Sequence, residues 1–336
     1  MRFGWRGALG ILLSGALLYW ALYDSVDAVI EGLAGANLPL LALAALLGTL
    51  VFPLRARRWR TILEPVAAHL PFGMLWRATA IGMMINNVIP LRAGEVARAY
   101  ALTRETPRVR FPASFASLAV DRVFDAVVLM LLMVAAIAAP GFPANAEING
   151  RPVSSWAVGF ALAALAAVVI LYLVVFFPSL LLRIYDGLAR RIAPRFAERG
   201  RVMLLSFADG LAVLRHPRLF ASVFLWTLAH WMVNAFAFWV GFKAVGLDAP
   251  YSAALLLQGI IAIGVAAPSA PGFFGVFEWF AWVGLALYGV DKELAVTWAI
   301  GYHLASFIPI TVLGAFYLSR VRFRLRDLRT VSEPGR

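Results

Sequence analysis

Between Arg77 and Arg104 the chain reads RATAIGMMINNVIPLRAGEVARAYALTR (77–104), and this stretch decides the fold. It begins and ends on arginine, and its apolar body is interrupted at Asn86, Asn87, Pro90 and Gly94. A helix running through Pro90 would lose a backbone hydrogen bond and clash with its preceding turn. Basic flanks on both sides put both ends on the cytoplasmic face of a membrane. The segment therefore reads as a re-entrant hairpin, entering the bilayer from inside and returning.

The flanking sequence supports a bilayer around it. The chain has 336 residues, of which 62% are hydrophobic, well above the roughly 45–50% of soluble domains; its mean hydropathy is +0.82. Apolar runs of span length recur at roughly 7–23, 38–54, 113–139, 153–177, 218–241 and 294–318, each long enough for a hydrocarbon core of about 30 Å. The expected fold is an all-α integral membrane protein, a polytopic helical bundle of six full spans plus two re-entrant broken hairpins. Between the spans lie an acidic connection (Asp24, Asp27, Glu31), a turn-rich loop from Pro140 to Pro152, and an amphipathic segment at 206–217 along the inner surface.

Charge orients the threading. The net charge of +12 is carried almost wholly by arginine, in clusters at Arg55-Arg57-Arg58-Arg60, Arg183 to Arg201 and Arg320 to Arg329. These, with Arg2 and Arg6, place the N- and C-termini in the cytoplasm, in a multi-pass protein of the cell membrane, a bacterial inner membrane. Only Arg151, Lys243 and Lys292 face outward, and Arg92 and Arg122 sit at membrane depth. Such clustering beside apolar runs is a membrane pattern and not a nucleic-acid face. The run from Ala8 to Tyr23 has no small-residue cleavage site after it and reads as an uncleaved first span. Cysteine is absent, histidines are scattered without metal-ligand spacing, and there is no Walker A motif, so no metal site, cofactor or ATP hydrolysis is expected.

A second broken stretch, 252–289, contains Pro268-Ser269-Ala270-Pro271-Gly272, and its ends read as lying outside. The order of elements in residues 1–141 then recurs in residues 142–320 with opposite orientation, followed by a basic tail at 321–336. Pro90 and Pro268, Glu95 and Glu278, and Arg122 and His303 are each offset by roughly 180 residues. Inverted repeats with matching Pro/Gly breaks characterise many secondary transporters, whose sites lie where the repeats meet.

A charge near the bilayer centre costs at least about 2.5–3.5 kcal/mol on insertion scales, so each buried one needs a role. Asp121 and Asp125 share a helix face, and Arg122 can pair with Asp125 at i, i+3. Arg92 and Glu95 flank Gly94 and can reach this group, as a headgroup or ion contact or as a salt bridge pinning the hairpin. Asn86 and Asn87 either cap the broken helix or line a polar groove; covering freed backbone groups is the preferred role, because irregular backbone in lipid must be satisfied. Glu278 is either protonated or paired with a distant group such as His303 or Arg122. His230 and Asn234, four apart, are read as interhelical hydrogen-bonding groups. The Asp121/Asp125 pair also admits an enzyme that holds Mg²⁺ on a diphosphate, although Arg122 between them opposes a cation.

The run Asn86-Asn87-Val88-Ile89-Pro90-Leu91-Arg92-Ala93-Gly94-Glu95-Val96-Ala97-Arg98, followed by Asp121-Arg122-Val123-Phe124-Asp125, resembles the membrane region of lysylphosphatidylglycerol synthases and their stand-alone, flippase-like relatives. Pro268 to Glu278 is similar to that family's second motif, Pro-x-x-Pro-Gly-x-x-Gly-x-x-Glu. The resemblance covers nearly the whole chain. It implies a domain that moves a lipid between leaflets, with anionic, aminoacylated or polyprenyl-linked membrane lipids as partners, no nucleic acid, and an oligomer allowed. Headgroup contacts are then expected from Arg92, Glu95, Arg98, Arg122, Asp125, Glu278 and His303. Broken-helix backbone is expected at Asn86, Asn87, Pro90, Gly94, Pro268, Pro271 and Gly272. The family's soluble aminoacyl-transferase domain is missing, so lysyl transfer is not implied, and His303 stands where the family's arginine is expected. A proton-coupled small-solute transporter and an intramembrane lipid-modifying enzyme are the alternatives.

The topology is directly testable, because the native chain has no cysteine. Single cysteines at position 104 or 326 should stay unlabelled by an impermeant thiol reagent in intact cells; labelling from outside would refute the orientation.

Overall fold

The structure, a computed structural model, describes residues 5–89, 93–143, 146–148, 151–177, 211–266 and 269–320, with isolated positions between 179 and 205. Three expected site residues, Pro90, Arg92 and Pro268, lie outside the described residues, as do the tail at 321–336 and the 206–210 part of the amphipathic segment. The rest of that segment is a 3-10 turn, Leu211–Arg215.

The described chain is helical apart from a short antiparallel pair, β1 (Glu147–Ile148) and β2 (Arg151–Pro152), in the turn-rich loop. Its helices are α1 (Trp5–Leu22), α2 (Val26–Ala34), α3 (Leu38–Leu63), α4 (Phe72–Val88), α5 (Gly94–Glu105), α6 (Phe111–Ile137), α7 (Val153–Phe176), α8 (Pro217–Ala244), α9 (Tyr251–Gly264), α10 (Val276–Ala286) and α11 (Lys292–Arg320). Local chemistry sets several ends: Asn37 Oδ1 accepts from the Leu40 N–H at 3.1 Å, and Pro39 sits in the first turn of α3, where a missing N–H costs nothing.

Among the described residues α3, α8 and α11 are long and apolar enough to cross a membrane, and α1 with α2 makes a fourth if that bent pair is one span. Helices α6 and α7 have 27 and 24 residues, about 40 and 36 Å at 1.5 Å per residue, although α6 carries Asp121, Arg122 and Asp125. By contrast α5 and α10 have 12 and 11 residues, about 16–18 Å, far short of a hydrocarbon core. The exterior is apolar, with Leu12, Leu46, Leu162, Leu225 and Val312 each more than half exposed. A soluble monomer does not present such a surface all round.

Two expectations are corrected. The acidic connection at 24–31 is helical: α2 follows α1 at a 76° bend and buries Val29. The second span does not end at residue 54 but runs as α3 to Leu63, taking Arg55, Arg58 and Trp59 into the interior with Ile62 and Leu63. Those arginines do not belong to a solvated cytoplasmic cluster.

Packing places the breaks at the centre. Helix α3 lies chiefly against α8, α4 against α5 and α11, and α6 against α7 and α9. The two largest buried clusters among the described residues centre on Trp59, Ile81, Leu102 and Phe124, and on Phe238, Phe242, Trp298 and Tyr302. The first hairpin closes tightly. The Gly94 N–H donates to Asn86 Oδ1 at 2.8 Å, satisfying a donor freed by the break. At the other end of the hairpin Arg77 Nε donates to both Glu105 oxygens at 3.1 Å.

The crossing of α4 and α5 tolerates only glycine at its contact. A Cβ on Gly94 would run into the Gly82 carbonyl oxygen, and one on Gly82 would lie 2.7 Å from Gly94 O and Arg98 Cβ. Gly94→Ala should therefore lower the detergent-phase unfolding free energy by about 1–3 kcal/mol or more through overpacking. Gly159→Ala, with open space around its Cβ, should be neutral or gain up to about 1 kcal/mol from helix propensity. Equal melting of the two variants would show that this crossing does not hold the hairpin.

Candidate functional site

Four helices converge on Asp121 and Asp125 of α6. From α3, Arg58 reaches Asp121 at 2.5 Å and Asp125 at 2.6 Å, and its Nη1 also donates to Thr227 Oγ1 of α8 at 3.2 Å. From α5, Arg98 Nη1 reaches Asp121 Oδ2 at 3.3 Å and lays its guanidinium 4.2 Å over the Trp59 ring, a cation–π contact strengthened by desolvation. From α8, Trp231 Nε1 donates to Asp125 Oδ1 at 3.0 Å. Arg58, Arg98, Asp121 and Asp125 are all buried. Spacing explains the convergence: Arg55 and Arg58, like Asp121 and Asp125, fall on one face of their helix.

Arg122 closes the outer side. It lies 3.3 Å from both aspartates and 3.6 Å from Glu95, with its side chain 39% exposed. Four guanidiniums (Arg55, Arg58, Arg98, Arg122) thus meet three carboxylates (Glu95, Asp121, Asp125), leaving one positive charge in excess among the described residues. A divalent cation would have to displace guanidiniums to reach the two aspartates.

The second break is built without fixed charge in excess. The chain turns through positive φ at Gly272 (69°), Phe273 (64°) and Gly275 (85°); at Phe273, which has a side chain, this backbone is strained. Glu278 Oε2 accepts from the Gly275 N–H at 2.6 Å, and Oε1 lies 2.6 Å from His303 Nδ1 of α11. His303 Nε2 meets the Gly272 carbonyl at 2.8 Å. A carbonyl only accepts, so Nε2 carries a proton, and a second proton lies between Nδ1 and Oε1. Phe274 and Phe277 hold the imidazole, each with its ring centroid 4.5 Å away. Ser14 of α1 accepts from the Ala270 N–H at 2.7 Å.

Between the two breaks is a cavity of about 190 Å³. Arg55 and His230 line it beside the ion network, Gly272 and His303 line it at the second break, and Asn87 reaches it from the first hairpin. Asn87 Nδ2 also donates to Thr311 Oγ1 of α11 at 2.7 Å, tying that hairpin to the other half.

Of the expected headgroup residues, Glu95, Arg98, Arg122 and Asp125 fall in the ion network and Glu278 and His303 in the second cluster; Arg92 is outside the described residues. Asn86 and Gly94 bond to each other, and Pro271 opens the 3-10 turn that contains Gly272. Arg55 and Arg58 were not among the site residues expected from the sequence. His230 and Asn234, read as interhelical hydrogen-bonding groups, both meet other helices: His230 Nδ1 lies 3.5 Å from Arg58 Nη1 of α3, and Asn234 donates to Gln258 of α9 at 3.1 Å. A count of charges gave no signal for Arg55 and Arg58, because Arg92, Arg98 and Arg122 already match Glu95, Asp121 and Asp125 in number.

Arg58, wholly buried between two aspartates, should be the most costly member to remove. Arg58→Leu leaves those carboxylates short of a partner, a loss of about 3–5 kcal/mol, and Arg122→Ala, at the half-exposed rim, should cost clearly less. Thermal unfolding of the two variants in detergent checks the order, and equal losses would contradict it.

Comparison with known proteins gives the family. Residues 7–314 match the family described as lysylphosphatidylglycerol synthase TM region. Glycosyltransferase AglD of Haloferax volcanii is 30% identical over 295 residues, covering 80% of this chain and 47% of AglD, so the chain spans about half the length of that relative. Two UPF0104 membrane proteins of Methanothermobacter thermautotrophicus are also similar. One is 26% identical over 314 residues (85% of this chain, 84% of the relative), and the other 25% over 325 residues (93% and 91%). The family match runs from α1 into α11 and takes in both hairpin breaks, the ion network and the Glu278–His303 pair: the chain is a membrane protein of the lysylphosphatidylglycerol synthase TM-region family.

Proposed function

We propose that this protein is a flippase-like transporter that moves a lipid with a polar or anionic headgroup between bilayer leaflets. The observation that carries the reading is the central cavity, bounded by both hairpin breaks and flanked by a buried cluster with one positive charge in excess. A lipid's acyl chains can stay in hydrocarbon while its headgroup crosses, so the protein needs to supply only a polar path of headgroup size. Arginine suits an anionic headgroup because its planar fork binds two oxygens together.

The reading includes a topology of six spans, two re-entrant hairpins and cytoplasmic termini, in a bacterial inner membrane. The shortness of α5 and α10 supports the hairpins. Paired contacts support an inverted repeat: α4 packs on α11 as α9 packs on α6, and α3 meets α8, its counterpart in the other half. The glycosyltransferase name of one relative belongs to a protein about twice as long, and no enzymatic step is proposed for this chain.

In proteoliposomes the purified protein should scramble lipids in a headgroup-specific manner across a panel of anionic, aminoacylated and polyprenyl-linked lipids. Arg122→Ala or Glu278→Ala should abolish the activity. Movement of a water-soluble solute down a proton gradient, with no lipid movement across the panel, would overturn the reading in favour of a proton-coupled solute transporter.

A further inference from the structure

Of the four guanidiniums around the aspartates, three serve the three carboxylates by contact. Arg58 bridges Asp121 and Asp125, Arg98 reaches Asp121, and Arg122 reaches both aspartates and Glu95, all within 3.6 Å. Arg55 is the fourth. Among the described residues its nearest carboxylate oxygens are 3.8 and 3.9 Å away, beyond hydrogen-bond reach, and its buried Nε has no hydrogen-bond partner. Arg55 is only 9% exposed and lines the cavity. A surplus cation in such a place is costly unless an anion meets it.

His230 lines the same wall and is 1% exposed. Its Nδ1 faces Arg58 Nη1 at 3.5 Å. A guanidinium only donates, so Nδ1 accepts and the ring proton sits on Nε2. That Nε2–H has no hydrogen-bond partner among the described residues, although Asp125 Oδ1 lies 3.8 Å away. Two buried donors, one charged and one neutral, therefore border a cavity of about 190 Å³, room for several waters or one headgroup-sized polar group.

We propose that this cavity is a phosphate-group site, in which the Arg55 guanidinium and the His230 Nε2–H bind the oxygens of a phosphomonoester or phosphodiester. The cavity holds the phosphate and its small substituent, and any acyl chains lie outside it. The site deepens the lipid-transport reading and rests on it only for the source of the phosphate, since a free phosphate ester offers the same chemistry.

The test titrates the full-length protein in detergent with inorganic phosphate, glycerol 3-phosphate and dihexanoyl phosphatidylglycerol by calorimetry. Arg55→Gln should weaken binding at least tenfold. Lys243→Gln, which removes a cation paired with exposed Asp248 at 2.6 Å outside the cavity, should bind as the wild type does. Because the chain has no cysteine, Ser306→Cys on the cavity wall gives a single reporter, whose alkylation by a water-soluble thiol reagent should slow several-fold when the site is filled. Arg55-dependent binding of phosphatidylglycerol identifies a lipid source. Arg55-dependent binding of the two soluble phosphates alone upholds the site and counts against lipid transport. Unchanged affinity in Arg55→Gln overturns the site even if the wild type scrambles lipid. Should Arg55→Gln fail to fold, the Ser306→Cys reporter decides alone: protection by any of the three ligands upholds the site, and its absence with all three overturns it.

Discussion

Buried charge must be answered by charge, and the meeting of Arg58 with Asp121 and Asp125 is the point from which the rest of this bundle is fixed. Arg58 and Asp121 are fully buried and Asp125 nearly so, and in a medium of low polarity an unanswered ion of either sign is far more costly than in water. The helices that carry the partners must therefore meet in one register. Arg58 brings α3, the aspartates bring α6, Arg98 brings α5, and Thr227, His230 and Trp231 bring α8. Because α3 lies so extensively on α8, the network also joins the first half of the chain to the second.

The same constraint acts on the backbone where helices stop. Each break frees N–H and C=O groups that lipid cannot satisfy, and the two breaks are answered differently. At the first, an amide side chain, Asn86, accepts from Gly94 N–H and the flanking helices close to glycine contact. At the second, Glu278 accepts from Gly275 N–H while His303 donates to the Gly272 carbonyl, so a side-chain pair covers one donor and one acceptor at once. An arginine at position 303 would bring a permanent charge. Paired with Glu278 either residue gives no net charge, but only histidine allows both partners to be un-ionised, and the second wall of the cavity carries no net charge while the first is positive.

The bundle and both breaks were legible in the sequence because they depend on run length, proline and glycine, all local properties. The pairing of Glu278 with a distant group was legible as one of two alternatives, since an acid in an aromatic apolar run has few other ways to persist. What was not legible depended on where a helix stops relative to its charges. Arg55 and Arg58 each stand two residues before another arginine, Arg57 and Arg60, in a dense basic run, and in linear sequence all four look like one cytoplasmic anchor. Only the continuation of α3 to Leu63, with Trp59 and Ile62 buried beside them, separates the interior pair from its neighbours. Asp24 to Glu31 misled in the opposite direction: its acids suggested a loop, whereas Val29 and the apolar faces of α2 pack on α11.

Under the proposed function, the long contacts of Arg55 bear on how a transport site would differ from a structural ion pair. A site that moves its cargo must hold it firmly enough to admit it and loosely enough to release it. A lone arginine in a dry cavity would bind an anion too firmly for turnover. Here Asp121 and Asp125 lie 3.8–3.9 Å from the guanidinium, too far to satisfy its hydrogen bonds but near enough to offset much of its field. They also repel an arriving anion, so the attraction felt in the cavity is that of one excess charge among seven. Under the proposed phosphate site the aspartates thus have two consequences: with Arg58 they fix the fold, and against Arg55 they would keep the cavity's hold on an anion weak enough to be reversed.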